Sequence, residues 1–415
     1  MFTVSNVAIE MVEGRRIRGG VLPTVVVVSV VILIGMLGLL TLWEQENLLF
    51  ARSGRLRQAR ADAESAYTLY RLHAWELVRG DSLAYVLYDS LPKSRIHLTV
   101  YPWGLYDAVR VVTDDSVVSV CRIYGAEPEE GQTLYYPGRR TPLSVAGNTL
   151  LQGNLFLPEN GVMYARVGSD YYCGPDILPS RIRRAAVALP RPDSSAVCRV
   201  ETLFARTGKT GAVLPPDSLR CSFLHDTTAV FRVGDAELHG YTLRGNILLL
   251  ADELRIDSLC RLENVLICAR KITVGRGARI AAQLFARETV VVEPGVVMEY
   301  PSGLYAGEYA ELGEGATLDG YVIVRDTARR TRVTANYRQS RTARLRGMLY
   351  VDGVAQVQGV LCGRALLRRA VYFSPEGYYE DMVYDLTLLE NPLTGHPRWL
   401  AADKRERRKE VVCVD

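Results

Sequence analysis

The stretch from Ala251 to Gly320, ADELRIDSLCRLENVLICARKITVGRGARIAAQLFARETVVVEPGVVMEYPSGLYAGEYAELGEGATLDG, repeats itself. Copies open at Ala251, Ala269, Ala286 and Ala306, at intervals of 18, 17 and 20 residues. Three residues into each copy stand Leu254, Ile272, Thr289 and Tyr309, and five residues in stand Ile256, Val274, Val291 and Glu311. A glycine follows at Gly277, Gly295 and Gly315, though not in the first copy, and an apolar residue recurs at Leu262, Ile280, Val297 and Leu318. A unit this short cannot bury its own apolar face, but stacked units share one core and template each other. Glycine at the corner supplies the positive φ that a tight bend needs. The period therefore predicts a β-solenoid (β-helix). Leu254, Ile256, Ile272, Val274, Val291 and Leu318 would point inward, and Gly277, Gly295 and Gly315 would make the turns.

Weaker forms of the same signal flank the repeat, at Gly147–Leu157 and Gly245–Leu250 before it and at Gly347, Gly353, Gly359 and Gly363 after it. They extend the predicted solenoid over 146–390, with irregular insertions near 165–235 and 325–342. The arginines between Arg325 and Arg346 suit a solvated loop or outer face. A β-sandwich with chance spacing is the competing reading. In its short glycine-containing coils the region resembles bactofilins, the polymer-forming β-helical scaffold proteins. That resemblance is architectural and implies self-association.

Upstream, 81–145 reads as a small β-rich subdomain. Arg95 to Tyr101 alternates, and Pro92, Pro102, Gly104, Gly125 and Pro137 punctuate the strands. Residues 391–415 read as a C-terminal tail.

The N-terminus is of another kind. Val21 to Trp43 holds no charged residue and is long enough, as a helix, to span hydrocarbon. Small or apolar residues then fall at Leu56, Ala59, Ala63, Tyr67, Tyr70, Ala74 and Leu77, in steps of three and four that mark one helical face. The reading is a basic leader over 1–20, a transmembrane helix over 21–43 and its amphipathic continuation over 44–80. Arg15, Arg16 and Arg18 lie directly before the span, whereas Glu44 and Glu46 follow it, which places the N-terminus inside and the remainder outside. The expected location is the inner (cytoplasmic) membrane, single-pass, with the C-terminal domain periplasmic or extracellular.

Arg18-Gly19-Gly20, the apolar span and Arg55-Leu56-Arg57-Gln58-Ala59 together resemble the N-terminus of minor pilins and type II secretion pseudopilins over about residues 15–75. The resemblance implies cleavage between Gly20 and Val21 by a prepilin peptidase. It also implies packing of the mature helix into a fibre or tip complex. Val25 stands at the fifth mature position, where most major pilins carry Glu, and Pro23 falls in the first helical turn. The bland alternative is an uncleaved signal anchor with a helical stalk.

Chemistry is sparse. Net charge is +4 with 48% hydrophobic residues, which supports large cores and argues against nucleic acid as a partner. The eight cysteines form no Cys-x-x-Cys pair, so a zinc ribbon is not expected, and most read as small buried apolar residues. Of five histidines only His225 and His239 lie near the repeat, too few for the base of a hexapeptide acyltransferase, whose coils the repeat also suits. Asp252, Glu253 and Asp257 cluster in one copy without acidic counterparts in the next. Gly208-Lys209-Thr210 lacks the first glycine of a phosphate loop, since Leu203 stands there. The sequence thus predicts a mainly β, non-enzymatic envelope structural or assembly protein with no cofactor or metal. Its expected partners are the lipid bilayer and protein subunits, pilin-like or its own copies. A membrane-anchored bactofilin-like scaffold and an envelope carbohydrate-active enzyme are the alternatives.

Overall fold

A single helix, α1, runs 53 residues from Val21 to His73, about 80 Å. Pro23 sits in its first turn, where no backbone donor is missed. Ser29 and Thr41 return their hydroxyls to the carbonyls of Val25 and Gly38, so neither is left unpaired on an apolar stretch. From Leu22 to Phe50 the large apolar side chains are exposed, and the helix is long and apolar enough to cross a membrane. The structure is a computed structural model that describes residues 21–73, 82–87, 95–113, 116–127, 131–138, 141–206, 214–225, 227–327, 334–375, 377–390, 395–400 and 408–414. The leader, and the expected helical residues 74–80, lie outside the described residues. The chain divides into two compact units, 1–60 and 61–415.

The second unit is mainly β. An antiparallel five-stranded sheet is built from Ser82–Val86, Arg95–Trp103, Tyr106–Thr113, Ser119–Ala126 and Arg408–Cys413, in that order. The last strand comes from the region expected to be a tail. His396 and Trp399, just before it, are buried too. One face of this sheet takes the end of α1, through buried Ala63, Ala66, Tyr67 and Tyr70.

Most of the remaining strands join, among the described residues, in one closed and almost entirely parallel network, while Leu143–Ala146, Val162–Tyr164 and Met382–Tyr384 form a separate three-stranded parallel sheet and Arg166–Val167 pairs with Asp170–Tyr171 in a small antiparallel hairpin. Within it the long strands stack in parallel, each stretch paired with a stretch one turn of chain later. One ladder runs Leu243, Leu262, Ile280, Met298, Leu318, Leu345 and Leu361. A second runs Leu249, Ile267, Leu284, Leu304, Val322, Leu349 and Ala365. A third runs Leu238, Ile256, Val274, Val292, Leu312, Gln339 and Val357. Between the first two, Gly320, Gly347 and Gly363 stack so tightly that a Cβ on each would lie 2.0 Å or less from the carbonyl oxygen of the rung before. No other residue fits that column. The apolar side chains directed inward form one continuous core from Leu134 to Leu388.

The network starts earlier than the sequence suggested. Gln132–Tyr135 belongs to it, and both this strand and Leu143–Ala146 of the three-stranded sheet stack on residues near the other end of the chain: Leu134 pairs with Ala365, and Val145 with Val383. Leu386–Leu389 completes the same rung by pairing with Gly359–Cys362. Leu150–Leu151, Asn154–Leu157 and Val162–Tyr164 add a further rung. Ile182–Arg184 closes that end. The chain then crosses to the opposite end through helix α2, Ser194–Ala205, capped by Asp193, and begins again at Ser218–Cys221. The expected insertion at 325–342 is likewise partly regular: Tyr337–Gln339 is a strand, and Tyr337 and Gln339 are fully buried.

The second ladder is covered on its outer face as well. Leu250, Leu266, Phe285, Tyr305, Tyr321 and Tyr350 pack against Trp103, Leu105 and Tyr106 of the antiparallel sheet, Val200 of α2 and Trp399.

Candidate functional site

The strands carry the inward and outward choice by alternation. Leu254, Ile256, Ile272, Val274 and Leu318 are all buried in the core. Val291 is not in it: it is half-buried, paired with Thr273 and Glu311, while Val290 and Val292 occupy the inward positions. Val297 is displaced in the same way, with Met298 inward in its place. The spacing misled because two irregularities offset each other. Asn264, at φ 56°, is an extra residue in one rung and shortens the next interval. Arg287 and Glu288 then stand opposite Arg270 alone and restore the register one residue later. The same shift explains why Glu311 seemed to break the pattern: Leu312 is the inward residue. Gly277, Gly295 and Gly315 have φ of 74°, 73° and 64° at their turns. Gly20 lies outside the described residues, and Val21 is the first residue of α1.

The most elaborate polar site joins four parts of the second unit at Asp107, which is 1% exposed. Its carboxylate accepts from Arg199 of α2, from Arg398 Nη1 at 3.2 Å and from the Tyr70 hydroxyl of α1 at 3.3 Å. Arg199 also donates to the Tyr106 carbonyl at 3.0 Å. Burial, and then the Asp107 charge, push the Tyr70 hydroxyl well above the ordinary tyrosine range, so it stays a donor. Beside it, the Tyr67 hydroxyl donates to the Val120 carbonyl at 2.8 Å, and the rings of Tyr67 and Tyr70 lie 5.9 and 5.1 Å from Tyr124. Arg122 stacks over Tyr67, pairs with Glu64 of α1, and reaches Glu410 of the last strand at 3.2 Å. The end of α1 is thus held by Tyr67 and Tyr70, whose rings are apolar and whose hydroxyls are both committed.

A second clamp joins the sheet to the parallel network. Gln283 is fully buried among apolar outward residues. Its amide donates to the Trp103 carbonyl at 3.1 Å, and its oxygen accepts from the Leu105 amide at 3.1 Å and the Tyr321 hydroxyl at 2.8 Å. The hairpin turn around Gly104, φ 60°, has room for that side chain only because it lacks a Cβ.

Other candidates disperse. Asp252 and Glu253 are drawn into ion pairs with Arg270, at 3.0 and 2.6 Å. His239 sits exposed, 2.6 Å from Asp257. Gly208-Lys209-Thr210 lies outside the described residues. Among the described residues no three His, Cys, Asp or Glu side chains gather as a metal site, and the eight cysteines are free thiols. Comparison with family models, curated proteins and solved structures finds no match to this chain.

Sequence reading missed Asp107, Gln283, Arg199 and Arg398. Gln283 carried a signal: it is the lone amide in the apolar run from Ile280 to Phe285. Asp107, between two turn-rich strands, carried none.

Proposed function

We propose that the chain is a non-enzymatic, membrane-anchored assembly subunit of the pilin type, whose parallel β-network is a solenoid head presented outside the membrane. One observation carries this reading. A single uninterrupted helix begins as a bare apolar segment at Val21 and ends docked on an antiparallel sheet by Tyr67 and Tyr70. Such a helix can leave its first half to lipid or to other helices while its second half stays fixed to its own head. The basic leader ending at Gly20, the N-in charge bias and the inner-membrane location belong to the same proposal.

The test is the mature N-terminus in native membranes where a prepilin peptidase is present. Terminal sequencing should find Val21 as the first residue, and Gly20→Val should block cutting. An intact Met1 in the parent chain would leave only a signal anchor.

The scaffold reading, in which heads stack end to end, has one observation for it: among the described residues Ile182–Arg184 and Ser218–Cys221 each pair with a strand on one side only. Against it, the closing strand Ile182–Arg184 exposes Arg183 and Arg184, with Arg181 beside them. Charged edge strands discourage edge-to-edge pairing.

A further inference from the structure

On the outer face of the first ladder, one column of outward residues runs Arg244, Glu263 and Ala281 through successive rungs, with Glu299 on the rung after. Ala281 is the short member of a column otherwise made of long charged side chains. The result is an open depression of about 480 Å³, within the size range of small-molecule sites. Its two ends are held by ion pairs, Arg244 to Glu263 at 3.1 Å and Arg279 to Glu299 at 2.9 Å. Arg261 and Arg279 stand on paired positions of adjacent rungs, about 4.8 Å apart. Like charges on paired positions disfavour each other, and while Arg279 is held by Glu299, Arg261 has no ion pair among the described residues. The wall beside them is the corner Ser258-Leu259-Cys260, where Leu259, 61% exposed, occupies a turn that carries glycine in the next three copies.

We propose that this depression binds a carboxylate-bearing sugar unit of an extended glycan. Arg261 donates to the sugar carboxylate in fork geometry. Glu263 and Glu299 accept from its hydroxyl groups. Leu259 covers the ring carbons. The two carboxylates also repel a compact dianion such as hydrogen phosphate more strongly than a singly charged uronate unit. Successive rungs repeat along the face, so a polymer can run parallel to the ladder. This inference does not depend on the pilin-type reading, because every residue in it lies between Arg244 and Glu299; processing at Gly20 and binding here can fail separately.

The experiment titrates the full chain in detergent, at low ionic strength, with the tetramer of galacturonic acid, and repeats it with neutral maltotetraose and with inorganic phosphate. Saturable binding of the uronate alone is expected. Arg261→Ala should weaken it about tenfold or more, the scale of one charged hydrogen-bonded contact. Ala281→Leu, which fills the depression without changing charge, should abolish it, while Arg338→Ala on another ladder should leave it unchanged. Unfolding curves of the variants would confirm that each remains folded. No saturable uronate binding, equal binding of maltotetraose or phosphate, or undiminished affinity in both groove variants would overturn the proposal.

Discussion

Val291→Asp and Val292→Asp differ by one residue and test the register of the whole ladder. Val292 is 1% exposed and lies in the core between Val274 and Leu312. Replacing it removes the burial of a valine, about 1.5–3 kcal/mol, and places a carboxylate among apolar neighbours with no partner, several kcal/mol more. A loss on the order of 5 kcal/mol is a third or more of a typical domain's stability. Because each rung templates the next, the damage should spread to the rungs of Val274 and Leu312. Val291 faces away from the core, between Thr273 and Glu311. An aspartate there meets only the like charge of Glu311, worth about 0.5 kcal/mol at a partly exposed site. The assay is denaturant unfolding of the full chain in detergent, followed by the fluorescence of buried Trp103 and Trp399. A large drop in midpoint is expected for Val292→Asp and little change for Val291→Asp. The reverse order would refute the register and with it the placement of every residue from Ala286 to Leu318.

Gln283→Leu should cost about 1–3 kcal/mol for each of the two backbone groups it strands, at Trp103 and Leu105, and amide exchange there should quicken more than elsewhere in the sheet. Asp107→Asn leaves Arg199 and Arg398 without their shared charge, and a loss of about 3–5 kcal/mol in unfolding free energy is expected. The buried imidazole of His396 is pushed down to about 3, first by burial and then by the charges of Arg364 and Lys409. Protons therefore bind its unfolded form first, so its contribution is fully present above pH 6.5 and is lost as pH falls toward 3. His396→Gln should flatten the acid limb of the stability profile relative to the parent, measured by thermal melting between those limits.

Much of the architecture was legible because it is written in period. Steps of three and four from Leu56 to Tyr70 marked the face of α1 that the structure buries, and the alanines at 269, 286 and 306 do stand in register on successive rungs. What misled was local: the extra residue at Arg287–Glu288, which offsets the one at Asn264, is invisible to a count of intervals from the alanines, yet it moves the inward role from Val291 to Val292. The cover over the second ladder was also written, in a form easily read as ordinary core. Runs such as Ile247–Leu250, Val265–Cys268 and Tyr321–Val324 are apolar at every position, as strands are when both faces are buried. The joining of Leu134 to Ala365 could not be read from one sequence, because nothing in either strand names its partner across so long a loop. Asp107 was hidden for the same reason: Arg199, Arg398 and Tyr70 come to it from distant parts of the chain.

The rung shared by Gln132–Tyr135 and Leu386–Leu389 has a consequence for how the polypeptide is made. During synthesis the strands around Leu134, Val145 and Leu151 leave the ribosome long before the residues that template them. Parallel pairing across that separation is slow to form and cannot be completed by an unfinished chain. If the head is carried across the bilayer as it emerges, its earliest strands must wait, with apolar faces uncovered, on the far side. Arg408–Cys413 pairs along Arg122–Ala126 at one edge of the sheet that receives α1, so that edge is covered only after residue 413 has been made. A chain interrupted before Arg408 would leave that edge of the sheet, at Arg122–Ala126, without its partner strand.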